Sequence, residues 1–515
     1  MLKSLAQRDR TNWLIGVLLL LILMGGAWLR WHELGERSVD LDESTTWSSI
    51  SYPKFSDVMA SVNNNGQAPL SFVVTYGLTR FFGDSEIPLR LSSFLAGCLT
   101  ILAVYLVGRR GFGYMEGLIA AGMVAVMYQP LNYSQYSRMY AWMLLLATLA
   151  VYYWLDLFNS MKAGKRMPRR SAILYGVLSL AGILTNYLVA LMLVWQAAAL
   201  LLVAWRQRML KVTLGLYLAI SLAFLPWVPQ LLTQIGRPST HSWIREPEPD
   251  ALGRLLPWIV GTGGNWERPT VGLLIFAGLI LLGLATAVLR SAGGFDEDKQ
   301  PGNLMQPDYL LALWAMVPPI LLYFVSITLK PLYLERYLLF TLPAFVLLAV
   351  RGITGLPLAE DIPAGVKKGF MGLASCALIF FYLNLTVDRG RYYEQNNGEF
   401  TRAVVQTIQA YQRSTPGTLS ATCGYRTQYD YYTVRLGRES VVEIGFCKED
   451  EFEALQERMA REGAEALILS QLHRRISDEA LNLLEEHYCE HDLTDFGSEK
   501  VWLYYPREHP ACDQP

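Results

Sequence analysis

Apolar runs of about 20 residues recur between residues 13 and 387, separated by short polar segments in which Lys and Arg cluster. Runs of that length predict membrane-spanning helices, since they suffice to cross the hydrocarbon core. The first run, residues 13–28, has no small-residue cleavage site after it and reads as a retained helix. Next, Phe55, Val58, Met59 and Val62 recur at helical spacing, which suits a helix lying on the membrane surface. Residues 69–82 are apolar but too short to span, and are expected as a second surface or re-entrant helix.

From Pro88 the crossings alternate. They are expected at 88–107, 117–131 and 140–162, in a pair turning at Thr185-Asn186-Tyr187, and from Leu214 outward. Three more follow, into Arg290, over 309–328 and over 337–350, and the last covers 370–386. The total is about 11 transmembrane helices. Residues 230–268 read as a long outer loop.

The basic clusters fix an expected orientation. Lys3, Arg8 and Arg10 precede the first helix. Arg109-Arg110, Lys162 to Arg170, Arg206 to Lys211, Arg290, Arg351 and Lys367-Lys368 then fall at every second helix end. The positive-inside rule places the N-terminus in the cytoplasm and the tail outside.

After residue 390 the pattern changes to that of a soluble domain. Val404, Ile408 and Tyr411, with Phe400, mark one helix face. Phe452, Leu455 and Met459 mark another, which stops at Gly463, and Ser477-Asp478-Glu479 opens a third. Residues 419–423, 441–446, 466–469 and 501–505 read as strands. The organisation is a membrane domain, 1–390, and an α/β domain, 391–515. Cys423, Cys447, Cys489 and Cys512 all fall in the latter, which suggests two disulfides among three possible connectivities. Proximity in sequence favours 423 with 447 and 489 with 512. Cys98 and Cys376 read as packing residues in helices.

Composition narrows the classes. Of 515 residues, 52% are hydrophobic and 17% charged, too apolar for an ordinary soluble enzyme. The net charge of −1, without any basic array, gives no indication of a nucleic-acid partner. The 14 Trp and 28 Tyr suit anchoring at membrane interfaces.

The candidate chemistry lies in the outer segments. Asp40, Asp42 and Glu43 follow the first helix. Gln67 lies in the next segment, Arg138 and Tyr140 in a further one, His241 in the long loop, and Lys330, Glu335, Arg336 and Tyr337 in the last. Cations of this kind hold phosphate, Arg by a bidentate fork and Lys as a point charge. A carboxylate can take a proton from an attacking hydroxyl. The plainer alternatives are a helix cap or solvated acid for Asp42, and interfacial anchoring to lipid phosphates for the arginines. Asp40 reads as a loop acid. A transporter or flippase of a lipid-linked saccharide is the competing class; it would call for ionisable groups deep in the helices and an internal repeat, and neither is visible.

Several motifs in order carry a resemblance. Leu41-Asp42-Glu43, Gln67-Ala68-Pro69-Leu70, Tyr133-Ser134-Gln135 with Arg138-Met139-Tyr140, and Glu335-Arg336-Tyr337 with Leu342-Pro343-Ala344 resemble the GT-C fold membrane glycosyltransferases. The similarity is to the bacterial branch related to protein O-mannosyltransferases and to the lipid A aminoarabinose transferase. It implies inverting transfer of a hexosyl or pentosyl group from a polyprenyl-phosphate carrier. The acceptor would be a lipid or lipopolysaccharide, a polysaccharide or a protein, at the outer face of a bacterial inner membrane. It further implies Asp42 and Glu43 as catalytic and Arg138 and Arg336 near the donor phosphate; from their place in the outer segments, Lys330 is a further candidate for the phosphate, and Tyr140, Gln67, His241 and Tyr337 are candidates for substrate contact. No cofactor or metal is implied as required. Two positions depart from the family: Gln67-Ala68-Pro69 stands where His-Pro-Pro is common, and Tyr136 where an acid often follows Ser-Gln.

Overall fold

The computed structural model describes residues 2–237, 244–261, 269–291, 306–356, 362–387 and 400–513. The chain forms two compact units. One comprises Met1–Leu34 and Pro53–Arg389, the other Gly35–Tyr52 and Gly390–Pro515. The acidic segment, expected from the sequence to lie in the membrane domain, therefore packs with the tail.

In the first unit, nine helices among the described residues are long and apolar enough to cross a membrane. They are Asn12–Trp31, Glu86–Gly111, Tyr140–Lys162, Tyr187–Arg206, Leu210–Ile235, Val271–Leu289, Pro307–Thr328, Glu335–Thr354 and Gly365–Val387. The two remaining expected crossings are shorter, Tyr114–Val126 with 13 residues and Arg169–Thr185 with 17. The first of these breaks at Met127, where the backbone turns extended before a short helix, Tyr128–Ser134, takes over.

A break in an apolar interior frees carbonyls that need donors. Arg30, fully buried near the end of the first helix, supplies them. Its guanidinium donates to the carbonyls of Val124 and Ala125, both at 3.0 Å, and to Ser134 Oγ at 3.1 Å. The two expected surface helices are present as Phe55–Asn64 and Leu70–Phe82. The expected outer loop 230–268 is partly helical, holding Val228–Ile235 and Ala251–Val260.

Two features clamp the end of the unit that carries Arg351. A Cβ on Gly352 would overlap the Leu279 carbonyl oxygen, so the helices Pro269–Ser291 and Leu342–Thr354 meet backbone to backbone. Beside it, buried Arg351 donates from Nε to Asp308 at 2.7 Å and pairs with Glu116 at 3.4 Å, joining three helices. Arg351, read from sequence as an orienting interfacial charge, is thus neutralised by carboxylates.

The second unit is built on a five-stranded sheet: β1 (Thr418–Cys423), β2 (Ile444–Gly445), β3 (Ala466–Gln471), β4 (Tyr488–Asp495) and β5 (Lys500–Pro506), in the order β2-β1-β3-β5-β4. β1 runs parallel to β2 and β3, while β5 is antiparallel to β3 and β4. Leu419, Ala421, Leu467, Leu469 and Trp502 pack on one face against Phe452, Leu455, Met459, Ala480 and Leu484, from the helices Phe452–Glu462 and Asp478–His487. The helix Thr401–Ser414 covers β3 and β5 with buried Val404, Val405 and Ile408. Gly463 takes φ +63° to end its helix, and Ser477 Oγ caps the next by accepting from Ala480 N.

Both disulfides expected from proximity are present, Cys423–Cys447 and Cys489–Cys512, and Cys98 and Cys376 are unbridged. The expected strand 441–446 is reduced to two residues at the sheet edge, and β4 lacked any sequence signal. Its run Glu490-His491-Asp492 is exposed and carries a bulge, as edge strands often do.

Glu499, 2% exposed, accepts from Phe400 N, and burial pushes its carboxyl up to about 7. Between the ordinary glutamate value of 4.5 and about 7 the folded state holds a proton that the unfolded state has released. This contribution to stability is therefore full below the lower value and lost as pH rises through the upper. Thermal melts across that interval should show Glu499→Gln losing part of the wild-type pH dependence; a parallel pH profile in the variant would assign the dependence to other groups.

Candidate active site

The acidic segment forms a helix, Leu41–Ile50, not a loop. Asp40 is its N-cap: the side chain accepts from Glu43 N at 2.8 Å. Ser44, Thr45, Thr46 and Ser49 return hydroxyls to main-chain carbonyls three or four residues back, which satisfies a run of poor helix formers locally. Asp42 and Glu43 occupy the first turn, where the helix dipole favours carboxylates. Asp42 is half-buried and Glu43 is 1% exposed.

Within the second unit this helix is held by the short helix Arg426–Tyr432, which follows β1. Trp47 stacks edge-on against Tyr431 at 5.6 Å, Val39 N donates to Tyr432 OH at 2.8 Å, and Ser44 Oγ bonds Thr427 Oγ1 at 3.4 Å. Arg402 donates to the carbonyls of Gly35 and Glu36. Asp42 is also close enough to His473, after β3, to favour its charged form, although burial outweighs this and lowers the imidazole. The chain leaves β1 towards β2 on one side and returns to β3 on the other. Arg426–Tyr432 and His473 thus follow the carboxyl ends of strands at a topological switch point, a common place for sites in α/β sheets.

The first unit contains an apolar cavity of about 180 Å³. Its lining includes Gln67, Met139, Asn186, Lys330 and Tyr337, and Lys330 is the one charged side chain among the described residues around it. Buried Gln234 frames the wall. Its Nε2 donates to Asn63 Oδ1 at 2.9 Å and to the Gln67 carbonyl at 3.2 Å, while its Oε1 accepts from Tyr187 OH at 2.9 Å. Tyr337 also belongs to an aromatic group: it stacks on Tyr140 at 6.3 Å, and the Arg336 guanidinium lies 5.9 Å and 5.8 Å from the two rings. Arg138, 8% exposed, immediately precedes Met139 of the lining.

Of the expected residues, Gln67, Lys330 and Tyr337 thus share one cavity, and Arg336, Tyr140 and Tyr337 share one aromatic group. Asp42 and Glu43 belong to the other unit, and His241 lies outside the described residues. Sequence reasoning missed Gln234 and His473. The glutamines Gln230 and Gln234 in the largely apolar stretch Val228–Ile235 were a usable signal for the former; nothing local marked the latter. No three His, Cys, Asp or Glu side chains converge as metal ligands among the described residues.

A helical bundle of this size with a disulfide-linked α/β unit is the architecture of a polytopic membrane protein of the GT-C fold. Residues 66–232 match the family described as dolichyl-phosphate-mannose-protein mannosyltransferase. That span takes in Gln67 and Arg138 but not Asp42, Glu43 or Arg336. Among solved structures the chain is similar to ArnT from Cupriavidus metallidurans bound to undecaprenyl phosphate, at 14% identity and TM-score 0.54, covering 96% of this chain and 98% of that one. The apo state of the same protein gives 14% and 0.53 with the same coverage. The archaeal oligosaccharyltransferase AglB from Archaeoglobus fulgidus, in complex with an inhibitory peptide and a dolichol-phosphate, matches at 13% identity and TM-score 0.50, covering 97% of this chain and 75% of that one. No curated protein sequence matches the chain. The expected fold is borne out, and the expected resemblance to the mannosyltransferase branch has its counterpart in the match over residues 66–232.

Proposed function

We propose that the protein transfers a sugar from a polyprenyl-phosphate carrier to a lipid, glycan or protein acceptor, with inversion at the anomeric carbon, at the outer face of a bacterial inner membrane. The observation that carries this reading is the apolar cavity with Lys330 in its lining. A lipid-phosphate needs an apolar wall for its chain and a positive charge for its head, and the lining that contains Lys330 offers both. The undecaprenyl phosphate bound to ArnT and the dolichol-phosphate bound to AglB support the same ligand class.

In this reading Lys330, Arg336 and Arg138 stabilise the phosphate, and Gln67, Tyr140, Tyr337 and His241 contact the substrates. The Asp42 carboxylate takes the proton of the acceptor nucleophile, with Glu43 as its companion. The nucleophile then bonds to the anomeric carbon from the face opposite the phosphate. The bond from that carbon to the phosphate oxygen breaks, and the polyprenyl phosphate departs with the electron pair. Negative charge grows on the leaving oxygen, which is where fixed cations lower the barrier. No cofactor or metal is required.

The test is a transfer assay with the full chain reconstituted in vesicles, radiolabelled polyprenyl-phosphate sugars and a membrane extract as acceptor. Label moving onto an acceptor supports the reading, and the labelled product identifies sugar and acceptor. Carriers crossing the bilayer with no transfer from any donor would replace it with the flippase reading.

A further inference from the structure

Between Leu157 and Arg245 the chain contains no Asp or Glu. Eight cations fall within this stretch at two helix junctions: Lys162, Lys165, Arg166, Arg169 and Arg170 at one, and Arg206, Arg208 and Lys211 at the other. The nearest acid on these helices, Asp156, is already engaged by Ser171 Oγ and by Arg110 at 3.8 Å. The helices Arg169–Thr185 and Leu210–Phe224 pack together, and between their first turns lies an open groove of about 570 Å³. That size is within the roughly 300–1,000 Å³ of ligand pockets. Its floor is apolar, with Ala172, Ile173, Val212 and Leu216, and Arg166 and Arg169 stand at its rim.

We propose that this groove binds an anionic phospholipid, its phosphate held by Arg166 and Arg169 and its acyl chains lying along Ile173, Val212 and Leu216. Charge complementarity selects an anion, since neither guanidinium has a carboxylate partner among the described residues. The floor selects a lipid: Ile173 and Val212 are 65% and 57% exposed in the protein, and a soluble anion would leave them uncovered. Basic pockets between membrane helices are known to take anionic headgroups. The groove is separate from the cavity of Lys330. Thr185 of that cavity and Arg169 of the groove are the two ends of one 17-residue helix, about 25 Å apart.

Native mass spectrometry of the detergent-solubilised full chain tests the assignment, with phosphatidylglycerol, phosphatidylcholine, a polyprenyl phosphate and inorganic phosphate titrated separately. The expected result is retention of phosphatidylglycerol over phosphatidylcholine, weakened about tenfold or more in R166Q/R169Q and unchanged in R206Q/R208Q. Equal weakening by both double variants would reduce the groove to a diffuse basic surface and overturn the proposal. So would equal retention of phosphatidylcholine, a preference for inorganic phosphate or polyprenyl phosphate over phosphatidylglycerol, or no change in R166Q/R169Q.

Discussion

Asp42→Asn is expected to lose sugar transfer by about 10²–10⁴-fold while keeping the fold. Asparagine matches aspartate in shape but cannot accept the proton of an attacking hydroxyl. The structural loss should be small: Asp42 sits in the first turn of a helix whose cap is Asp40, and a first-turn charge contributes only about 0.3–1 kcal/mol. Asp40→Ala provides the contrast. It removes the cap, which costs about 0.5–2 kcal/mol, so it should lower the thermal midpoint more than the rate per folded molecule. The two variants separate chemistry from scaffolding within three residues. If Asp42→Asn transfers at the wild-type rate, Asp42 is a dipole-stabilised surface acid and the base must be sought elsewhere.

Arg351→Leu is expected to destabilise the helical unit by about 3–5 kcal/mol. The guanidinium is buried between Asp308 at 2.7 Å and Glu116 at 3.4 Å, and its face lies 4.8 Å from the Phe112 ring. Its removal leaves buried Asp308 and half-buried Glu116 with no counter-charge. Arg351→Lys should restore only part, because a compact ammonium cannot reproduce a fork that reaches both acids. Adding Asp308→Asn and Glu116→Gln to Arg351→Leu should recover stability, since neutral side chains no longer need the cation. Melting in detergent measures all three. An unchanged midpoint for Arg351→Leu would show that these acids find solvent or protons without it.

The parts legible in the sequence are those governed by local patterning. Hydrophobic length located the spanning helices, and helical spacing located Phe55–Asn64. Alternation and turn chemistry located β1, β3, β5 and the helices ending at Gly463 and starting after Ser477. The helix at Leu41–Ile50 was also signalled, by Asp40 with Glu43 three residues on, the pattern of a helix cap. What could not be read was partnership over long distances in the chain. Trp47 meets Tyr431 and Val39 meets Tyr432 across nearly four hundred positions, and no periodicity carries that information. The candidate site divides in the same way: Lys330 and Arg336 announced themselves as cations in a short segment between apolar helices, whereas Gln234 and His473 matter through what they touch.

The discontinuity of the second unit also sets an order of events during synthesis. Residues 35–52 emerge from the ribosome long before β1, and the helix Arg426–Tyr432 that grips them is made only near the end. A ten-residue helix alone is marginal in water, so the segment bearing Asp42 waits unfolded through most of translation. On the proposed role of Asp42, a nascent chain is expected to transfer no sugar until the helix Arg426–Tyr432 has been made. For the same reason, exchanging the tail with that of a relative requires moving residues 35–52 along with it.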